Sequence, residues 1–367
     1  MESAVNPAIA ARRLYNQDIT RARKRRPEDV VASLGAVQAQ EYPAARWGLA
    51  LRMPEGATDK EIEAACDEGR ILRTHVMRPT WHFVAAADIR WMLELTRPRV
   101  HQAMAHYKRQ AGLDAATLTR ATTVFERALG DGRCLTRAEL GVQLERAGSM
   151  GNAAMTKGVP LALLTLHAEL EGVMCSGPRR GKQLTYALVA ERAPKALRLS
   201  RDEAVAELAR RYFSSHGPAT IRDFVWWSGL LTTDAKRGLE MIRARPENVN
   251  GLTYWTVGRA PAVPTRRGTV HLLPVYDEYL VAYRDRDAVP HTASRVGSRP
   301  GGPVTFLHAL VITGQVAGTW RTAPHADGVV LDVAPLRRLT GPEKRALAGT
   351  AARYGRFLDA PVTLSIA

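Results

Sequence analysis

Apolar residues at helical intervals shape the amino-terminal part of the chain. A short helix is predicted at 7–16 and a second one near Pro27, where apolar residues recur every three or four positions: Val30, Val31, Leu34 and Val37. Pro43 ends this second helix and suits the first turn of a third. Gln38 and Gln40 therefore stand at the corner of a predicted helix–turn–helix.

A β-like ribbon follows these helices. Residues 59–69 form one more predicted helix, which ends at a glycine. From Ile71 to Val84 the pattern becomes β-like, with Arg78-Pro79 as a turn. Helices followed by a two-stranded ribbon predict a winged helix.

The same order of elements returns twice. A second round opens with the capping box at 136–139 and ends in a predicted hairpin at 173–188. A third round opens with the capping box at 200–203, continues through a predicted helix at 233–245, and ends in an extended run at 252–257. The chain is therefore predicted to carry three tandem winged helices of unequal length.

Short β-like runs take over from about Thr269. They lie at 270–274, 304–312, 315–321, 329–333 and 362–366, with one helix predicted at 343–357. We expect a small barrel-like domain there. The predicted fold is thus mainly α with β wings (α+β), in four domains: winged helix 1 with the two glutamines at 1–110, winged helix 2 at 111–195, winged helix 3 at 196–264, and the β-rich domain at 265–367.

The charge of the chain narrows the class of partner. Lys and Arg number 52 against 36 Asp and Glu, which gives a formal net charge of +16. An excess of this size favours a polyanionic partner, most simply nucleic acid. A basic surface without such a partner is the alternative.

Several other classes of protein are disfavoured. The three cysteines, Cys66, Cys134 and Cys175, are widely separated, and the ten histidines show no metal-binding spacing, so we expect neither a metal nor a cofactor. The sequence has no apolar run of membrane-spanning length and no signal-peptide core at its start. We therefore expect a soluble cytoplasmic protein, without membrane contact, and a monomer because no heptad seam is present.

The two glutamines are candidate catalytic residues. An amide is neither a general acid nor a general base near neutral pH, but it donates and accepts hydrogen bonds and so can hold a water. Such a pair suits a reaction with a good leaving group. The alternative is that Gln38 and Gln40 are solvated residues of a turn.

Four motifs, taken in order, carry a resemblance to a known family. They are Val-Gln-Ala-Gln-Glu-Tyr-Pro at 37–43, Leu-Arg-Thr-His-Val-Met-Arg-Pro-Thr-Trp-His-Phe-Val at 72–84, His-Gly-Pro-Ala-Thr at 216–220 with Trp-Trp-Ser-Gly at 226–229, and Leu-Leu-Pro-Val-Tyr-Asp-Glu-Tyr-Leu at 272–280. From about residue 7 onwards the chain resembles the winged-helix DNA glycosylases of the AlkZ and YcaQ type.

The resemblance implies a fold, an activity and a catalytic motif. The fold would be three tandem winged helices and a β-barrel, C-shaped around a basic DNA channel. The activity would be excision of N7-alkylated purines from double-stranded DNA, including the unhooking of azinomycin-like interstrand crosslinks, in alkylation repair or self-resistance. The family motif maps onto Gln38-Ala39-Gln40, the crosslink-directed branch, although alanine is smaller than the usual central residue. Because no lysine stands out as a nucleophile, we expect a monofunctional enzyme that leaves an abasic site.

Further residues are weaker candidates. His82 is a possible contact to the lesion or the DNA backbone, with a packed wing histidine as the alternative. Asp277 is a possible activator of water, with a structural hydrogen-bond acceptor as the alternative. The expected phosphate contacts are basic residues of the first two units, the segment before the β-rich domain and its long loop: Arg46, Arg78, Arg179, Arg180, Lys182, Arg266, Arg267, Arg295 and Arg299.

Two other functions fit the same charge and fold. A tandem winged-helix transcriptional regulator would bind DNA without turnover, and a scaffold that recruits repair factors would have no sequence feature of its own. Only the enzyme predicts turnover that depends on Gln38 and Gln40.

Overall fold

The computed structural model describes residues 7–148, 153–258, 263, 268–284 and 307–367. These ranges form a mixed structure of helices and small sheets, as the sequence pattern predicts. None of the helices in them is both long and apolar enough to cross a membrane.

The first unit contains both glutamines and follows helix α1 (Pro7–Asn16). Its elements are α2 (Pro27–Leu34), β1 (Val37–Gln38), α3 (Tyr42–Ala50), α4 (Asp59–Asp67), β2 (Ile71–His75) and β3 (Trp81–Ala85). Gly35 ends α2 with a φ of +89°, a conformation that glycine adopts without strain. The predicted helices and hairpin are confirmed. Gln38, however, lies on a short strand and not in a bare turn, because β1 pairs with β3.

The second unit begins with the second of two long helices. Its elements and those before it are α5 (Ile89–Gln110), α6 (Ala115–Leu129), β4 (Leu135–Thr136), α7 (Arg137–Arg146), α8 (Gly158–Leu170), β5 (Met174–Ser176), β6 (Thr185–Leu188) and α9 (Val189–Arg192). The predicted capping box is present, since the side chains of Thr136 and Glu139 each accept from the other's backbone N–H. The predicted hairpin is β5–β6.

The third unit repeats the order. Its elements are α10 (Arg201–Ser215), α11 (Ile221–Ser228), α12 (Thr232–Met241), β7 (Arg245–Val249) and β8 (Leu252–Thr256). The helix predicted at 233–245 is too long: α12 ends at Met241, Arg243 has a φ of +50°, and Arg245 opens a strand. The pairing of β7 with β8 overrides the helical pattern at this end.

All three units share one topology. A helix leads to a short strand or bridge, two helices follow, and a hairpin closes the unit. In the first sheet the order is β1–β3–β2 and in the second it is β4–β6–β5, while in the third unit Ala219 bridges Trp255 on β8. The strand after the first helix therefore always pairs with the last strand of its unit.

The carboxy-terminal part is an open sheet. Its elements are β9 (Val270–Leu273), α13 (Glu278–Val281), β10 (Ala309–Ile312), β11 (Gln315–His325), β12 (Gly328–Pro335), α14 (Gly341–Leu358) and β13 (Val362–Ile366). The strand order is β9–β10–β11–β12–β13, and the edge strands are not paired with each other in the described ranges. The predicted barrel is therefore wrong for this part of the chain. Helix α14 packs against edge strand β9, where the Thr350 hydroxyl donates to the Val270 carbonyl over 3.1 Å.

The cores of these units are not separate. One core contains residues of the first unit and of the C-terminal sheet, and Trp47 Nε1 donates across it to the Leu272 carbonyl over 2.8 Å. A second core joins the first hairpin, α5 and the third unit, and includes Ala282 and Tyr283. The boundaries at 110, 195 and 264 stay a prediction, and they separate supersecondary units that share cores.

Candidate active site

Strand β1 fixes the backbone of Gln38. In the β1–β3 ladder Gln38 lies opposite His82, and its side chain is 7% exposed. Its backbone N–H donates to Oε1 of Glu278 over 2.7 Å. The predicted catalytic residue is therefore anchored by a residue far along the chain.

The side-chain oxygens of both glutamines accept protein hydrogen bonds. Gln38 Oε1 accepts from Nη2 of Arg78 at 3.0 Å. Gln40 Oε1 accepts from the backbone N–H of Trp81 at 3.4 Å. An amide oxygen has two lone pairs, so each glutamine keeps one acceptor position and its NH₂ donors for a water or a substrate.

Arg73 fixes the main chain between the two glutamines. Its Nε donates to the Ala39 carbonyl over 2.9 Å, and its Nη2 donates to the Gln40 carbonyl over 3.4 Å. The guanidinium lies over the Trp81 ring, 4.3 Å from the centroid. Trp81 also accepts at its carbonyl from the Ala39 N–H over 2.7 Å, so the motif is held on both sides.

Glu278 is a buried carboxylate that the sequence analysis missed. Its Oε2 accepts from Nε1 of Trp227 at 2.9 Å and lies 3.5 Å from Nε2 of His216. Burial opposes its ionisation, but the contacts with His216 and Gln38 and the charge of Arg78 outweigh burial and lower its pKa to about 2. Glu278 therefore carries a full negative charge directly behind the motif.

Asp277, the weaker catalytic candidate, forms a buried ion pair with Arg52. Both of its oxygens accept from Arg52, each at 2.8 Å, and both side chains are 1% exposed. Oδ1 also accepts from the Tyr279 N–H at 2.9 Å and so caps helix α13. This geometry favours the structural alternative over activation of water.

His82 is fully buried. Its Nδ1 lies 2.8 Å from the Thr80 carbonyl, and its Nε2 lies 3.5 Å from Nη2 of Arg78. Burial and the nearby Arg78 lower the pKa of His82 to about 3, so the ring is neutral near pH 7. The position favours a packed histidine that orients Arg78, and it argues against a direct contact with DNA.

Several of the arginines expected to bind phosphate contact protein groups in the structure. Arg46 is buried against Asp59 at 3.2 Å and Glu63 at 3.4 Å, which argues against a phosphate contact. Arg179 also pairs with Glu63 and is mostly buried. Arg78 points to Gln38.

The two basic residues at the tip of the β5–β6 hairpin differ in their ion pairing. Arg180 is exposed and pairs with Glu139 at 2.6 Å, whereas Lys182 is exposed and has no ion pair within the described ranges. Four further candidates lie outside the described residues: Arg266, Arg267, Arg295 and Arg299.

A basic cavity adjoins the motif. It has a volume of about 490 Å³ and lies between the first and second units. Arg73 and Trp81 line it from the first unit, while Arg137 and Lys182 line it from the second. Arg137 is exposed and, like Lys182, has no ion pair in the part of the chain that the structure describes. Because Arg73 and Trp81 also hydrogen-bond to the glutamine motif, a phosphate group in this cavity would lie near the glutamines.

One group of potential metal ligands is present in the described residues. His101, His167 and Glu171 lie with their ligand atoms within 4.8 Å of one another, but Nζ of Lys108 is 3.0 Å from Nδ1 of His101 and 3.4 Å from Nδ1 of His167. The two histidines come from α5 and α8, so sequence spacing does not reveal the group. An ammonium already lies against both rings, and the expected absence of a metal stays a prediction.

The chain is similar in sequence and in fold to known DNA glycosylases. The family model described as DNA glycosylase AlkZ-like matches residues 31–357. An interstrand DNA cross-link repair glycosylase of Streptomyces sahachiroi is 28% identical over 309 residues, which are 80% of this chain and 81% of that protein. The solved structure of Streptomyces sahachiroi DNA glycosylase AlkZ superposes with a TM-score of 0.81 at 23% identity, over 99% of this chain and 100% of that chain, and shows a shared fold.

These matches define the class of protein first: an enzyme that hydrolyses N-glycosyl bonds in DNA. Within that class the chain belongs to the AlkZ-like DNA glycosylases, because the family model covers most of its length, the glutamine motif included. The resemblance carried by the four sequence motifs is confirmed.

Proposed function

We propose that this glycosylase is monofunctional, excises N7-alkylated purines from double-stranded DNA, and unhooks interstrand crosslinks of such bases. The observation that carries the proposal is the Gln38-Ala39-Gln40 segment, which β1, Arg73 and Glu278 hold in one geometry. The Streptomyces sahachiroi relative is named for cross-link repair, which supports the crosslink substrate.

The chemistry of the substrate explains why amides suffice. An N7-alkylpurine is cationic, so its glycosidic bond is already weak and its leaving group needs no proton. The enzyme must position a water and stabilise an oxocarbenium-like transition state. The free lone pairs of the Gln38 and Gln40 oxygens orient the water, and the negative charge of Glu278 lies behind Gln38. Hydrolysis then gives an abasic site, since no described lysine hydrogen-bonds to either glutamine.

The proposed DNA-binding surface is built from the three repeated units. We propose that each is a winged helix and that together they form a C-shaped basic channel. Lys182 and Arg137 support phosphate contacts beside the motif, because both are exposed cations of the basic cavity. We further propose that the enzyme acts as a monomer on chromosomal DNA in the cytoplasm.

The test is excision from defined duplexes by wild type, Gln38→Ala and Gln40→Ala. One duplex carries a single N7-alkylguanine and another a single N7–N7 crosslink, and abasic product is detected by alkaline cleavage. We expect excision by wild type and a loss of roughly 100-fold or more in each variant, the size found when one preorganised polar group is removed. Gln110→Ala, an exposed glutamine at the end of α5, is the matched control and should excise like wild type.

Binding measurements separate the rival functions. Each variant should keep the melting temperature and the DNA affinity of wild type within a few-fold. Tight binding without product from wild type on both substrates would instead support a transcriptional regulator. Product from both glutamine variants at the wild-type rate would remove the amides from the mechanism.

A further inference from the structure

A second cavity begins directly after the glutamine motif. It has a volume of about 430 Å³ and lies between the start of α3 and the C-terminal sheet. Glu41 and Trp47 line it on one side, and His308, Trp320 and Tyr354 line it on the other. Its volume is within the range of small-molecule sites.

The aromatic walls of this cavity are held rigidly. Nε1 of Trp320 donates to the Leu273 carbonyl over 2.8 Å. The Tyr354 ring makes edge contacts with Trp47 and Trp320, at centroid distances of 4.9 Å and 5.4 Å. Because these side chains already have partners, little conformational entropy is lost when a flat ligand enters.

The cavity is also acidic in a strongly basic protein. Its lining includes Glu41 and Asp59 and, among the described residues, no lysine or arginine. The Glu41 side chain is exposed and has no hydrogen bond or ion pair in the described ranges, while Asp59 faces Arg46. Burial lowers the pKa of His308 and so disfavours a positive charge on this ring. A DNA phosphate would be repelled here, whereas a planar cation would be attracted.

We propose that this cavity binds the alkylated purine itself, as a positively charged aromatic ring. The proposal rests on the proposed function, which supplies the N7-alkylpurinium base. Tyr354 is half-buried and offers an aromatic surface for a cation–π contact, Trp47 and Trp320 are packed against its ring, and Glu41 offers a carboxylate. An unmodified purine is neutral and lacks both attractions, so the cavity separates damaged from normal bases.

The same contacts favour release of the product. When the glycosidic bond breaks, its electron pair goes to the base, and the purinium becomes a neutral alkylpurine. The attraction to Glu41 and to the rings disappears at that step. The cavity therefore serves recognition and turnover, while the glutamines serve the bond-breaking step.

The test measures binding of free nucleosides to the intact protein, without DNA. The probes are 7-methylguanosine, at a mildly acidic pH where it is fully cationic, and guanosine. Binding is followed by calorimetry and by quenching of tryptophan fluorescence, since Trp47 and Trp320 are both in the walls. We expect the methylated nucleoside to bind roughly tenfold more tightly, which corresponds to about 1.4 kcal/mol.

Two variants and one control make the test specific. Glu41→Gln should reduce the affinity for 7-methylguanosine several-fold without changing that for guanosine, and Tyr354→Leu should weaken both. Lys236→Gln, which changes an exposed lysine of α12, should change neither. Equal affinity for the two nucleosides, no binding at millimolar concentration, or a larger effect of Lys236→Gln would overturn the inference.

The outcome is distinguishable from failure of the proposed function. Excision from DNA together with equal nucleoside affinities would reject the cavity and keep the enzyme activity. Selective binding of 7-methylguanosine without excision of N7-alkylguanine from DNA would keep the cavity as a binding site and reject the proposed enzyme activity.

Discussion

At the scale of single residues, the glutamine motif depends on Glu278. This carboxylate accepts from the Gln38 N–H and from the Trp227 indole, and it stabilises Arg78 by its charge. Arg78 in turn donates to the Gln38 side chain. Glu278 is therefore a positioning residue that acts on the amide through the backbone and through Arg78.

Glu278→Gln tests this positioning role. We expect excision to fall at least tenfold at saturating DNA, with DNA affinity unchanged, because the reacting water is misplaced while phosphate contacts remain. Single-turnover kinetics and a binding titration make the comparison. Glu171→Gln, a more exposed carboxylate at the carboxy-terminal end of α8, is the control and should behave like wild type.

The same variant changes the dependence of stability on pH. The pKa of Glu278 falls from an ordinary 4.5 to about 2 in the folded protein. A lowered pKa gives stability that is present above pH 4.5 and is lost as the pH falls towards 2. Denaturant unfolding across this window should show a shallower loss for Glu278→Gln. An unchanged slope would mean that Glu278 is not ionised in the folded state.

At the scale of elements, the segment from β9 to α13 connects three parts of the fold. Asp277 caps α13 and pairs with Arg52, which lies just after α3. Arg52 also donates to the Gln17 side chain. One ion pair thus sets the distance between the helix after the glutamine motif and the segment that carries Glu278.

Asp277→Asn separates the structural from the catalytic interpretation of this residue. Removing one partner of a buried pair leaves the other charge unpaired and typically destabilises a protein by about 3 to 5 kcal/mol. We expect a clear drop in melting temperature, partly restored by the double variant Arg52→Met/Asp277→Leu. If Asp277 instead activated the water, Asp277→Asn would abolish excision with the melting temperature intact.

The elements also show what a sequence pattern reveals. The predicted capping boxes at Thr136 and Ser200 mark real helix starts, because the side chain and backbone that form them are only three residues apart. No element is predicted between 86 and 134, where α5 and α6 lie. Pro98 inside α5 obscures the helical pattern. The Asp114 side chain that caps α6 is the local signal that identifies this second helix.

The sequence alone predicts only part of the candidate site, because some of its residues are far apart in the chain. Gln38 and Gln40 stand in one motif, and their spacing and chemistry are local properties. Glu278 meets Gln38 across 240 positions of the chain and Arg52 meets Asp277 across 225, and no periodicity encodes contacts of that kind. The open sheet could not be predicted because the pairing or non-pairing of its edge strands is a long-range property that the pattern of each strand does not encode.

At the scale of the whole molecule, the excess of basic residues is partly neutralised within the fold. Arg46 and Arg179 both face Glu63, so their charge is not available to DNA. Arg137 and Lys182 are exposed beside the basic cavity. The net charge therefore overstates the number of phosphate contacts, and the exposed unpaired cations define them better.

Salt dependence of DNA affinity tests this view. A variant that makes one phosphate contact fewer should show a slope of log affinity against log salt that is smaller by about 0.9. We expect reductions of roughly that size for Lys182→Gln and for Arg137→Gln, measured by fluorescence anisotropy on an undamaged duplex. Lys60→Gln is the control, because Lys60 is exposed but pairs with Asp359 at 2.9 Å. Equal slopes in all three would place the phosphate contacts elsewhere.

The hydrogen bond between Gln38 and Glu278 spans 240 positions of the chain. A contact of this sequence separation closes a long loop, and such contacts form late in folding because the loop entropy is given up before they contribute stability. Strands β1 and β3 are close in the chain, so we expect them to pair before Glu278 reaches Gln38. During synthesis on the ribosome we therefore expect a nascent chain that stops short of Glu278 to lack the hydrogen bond that fixes Gln38.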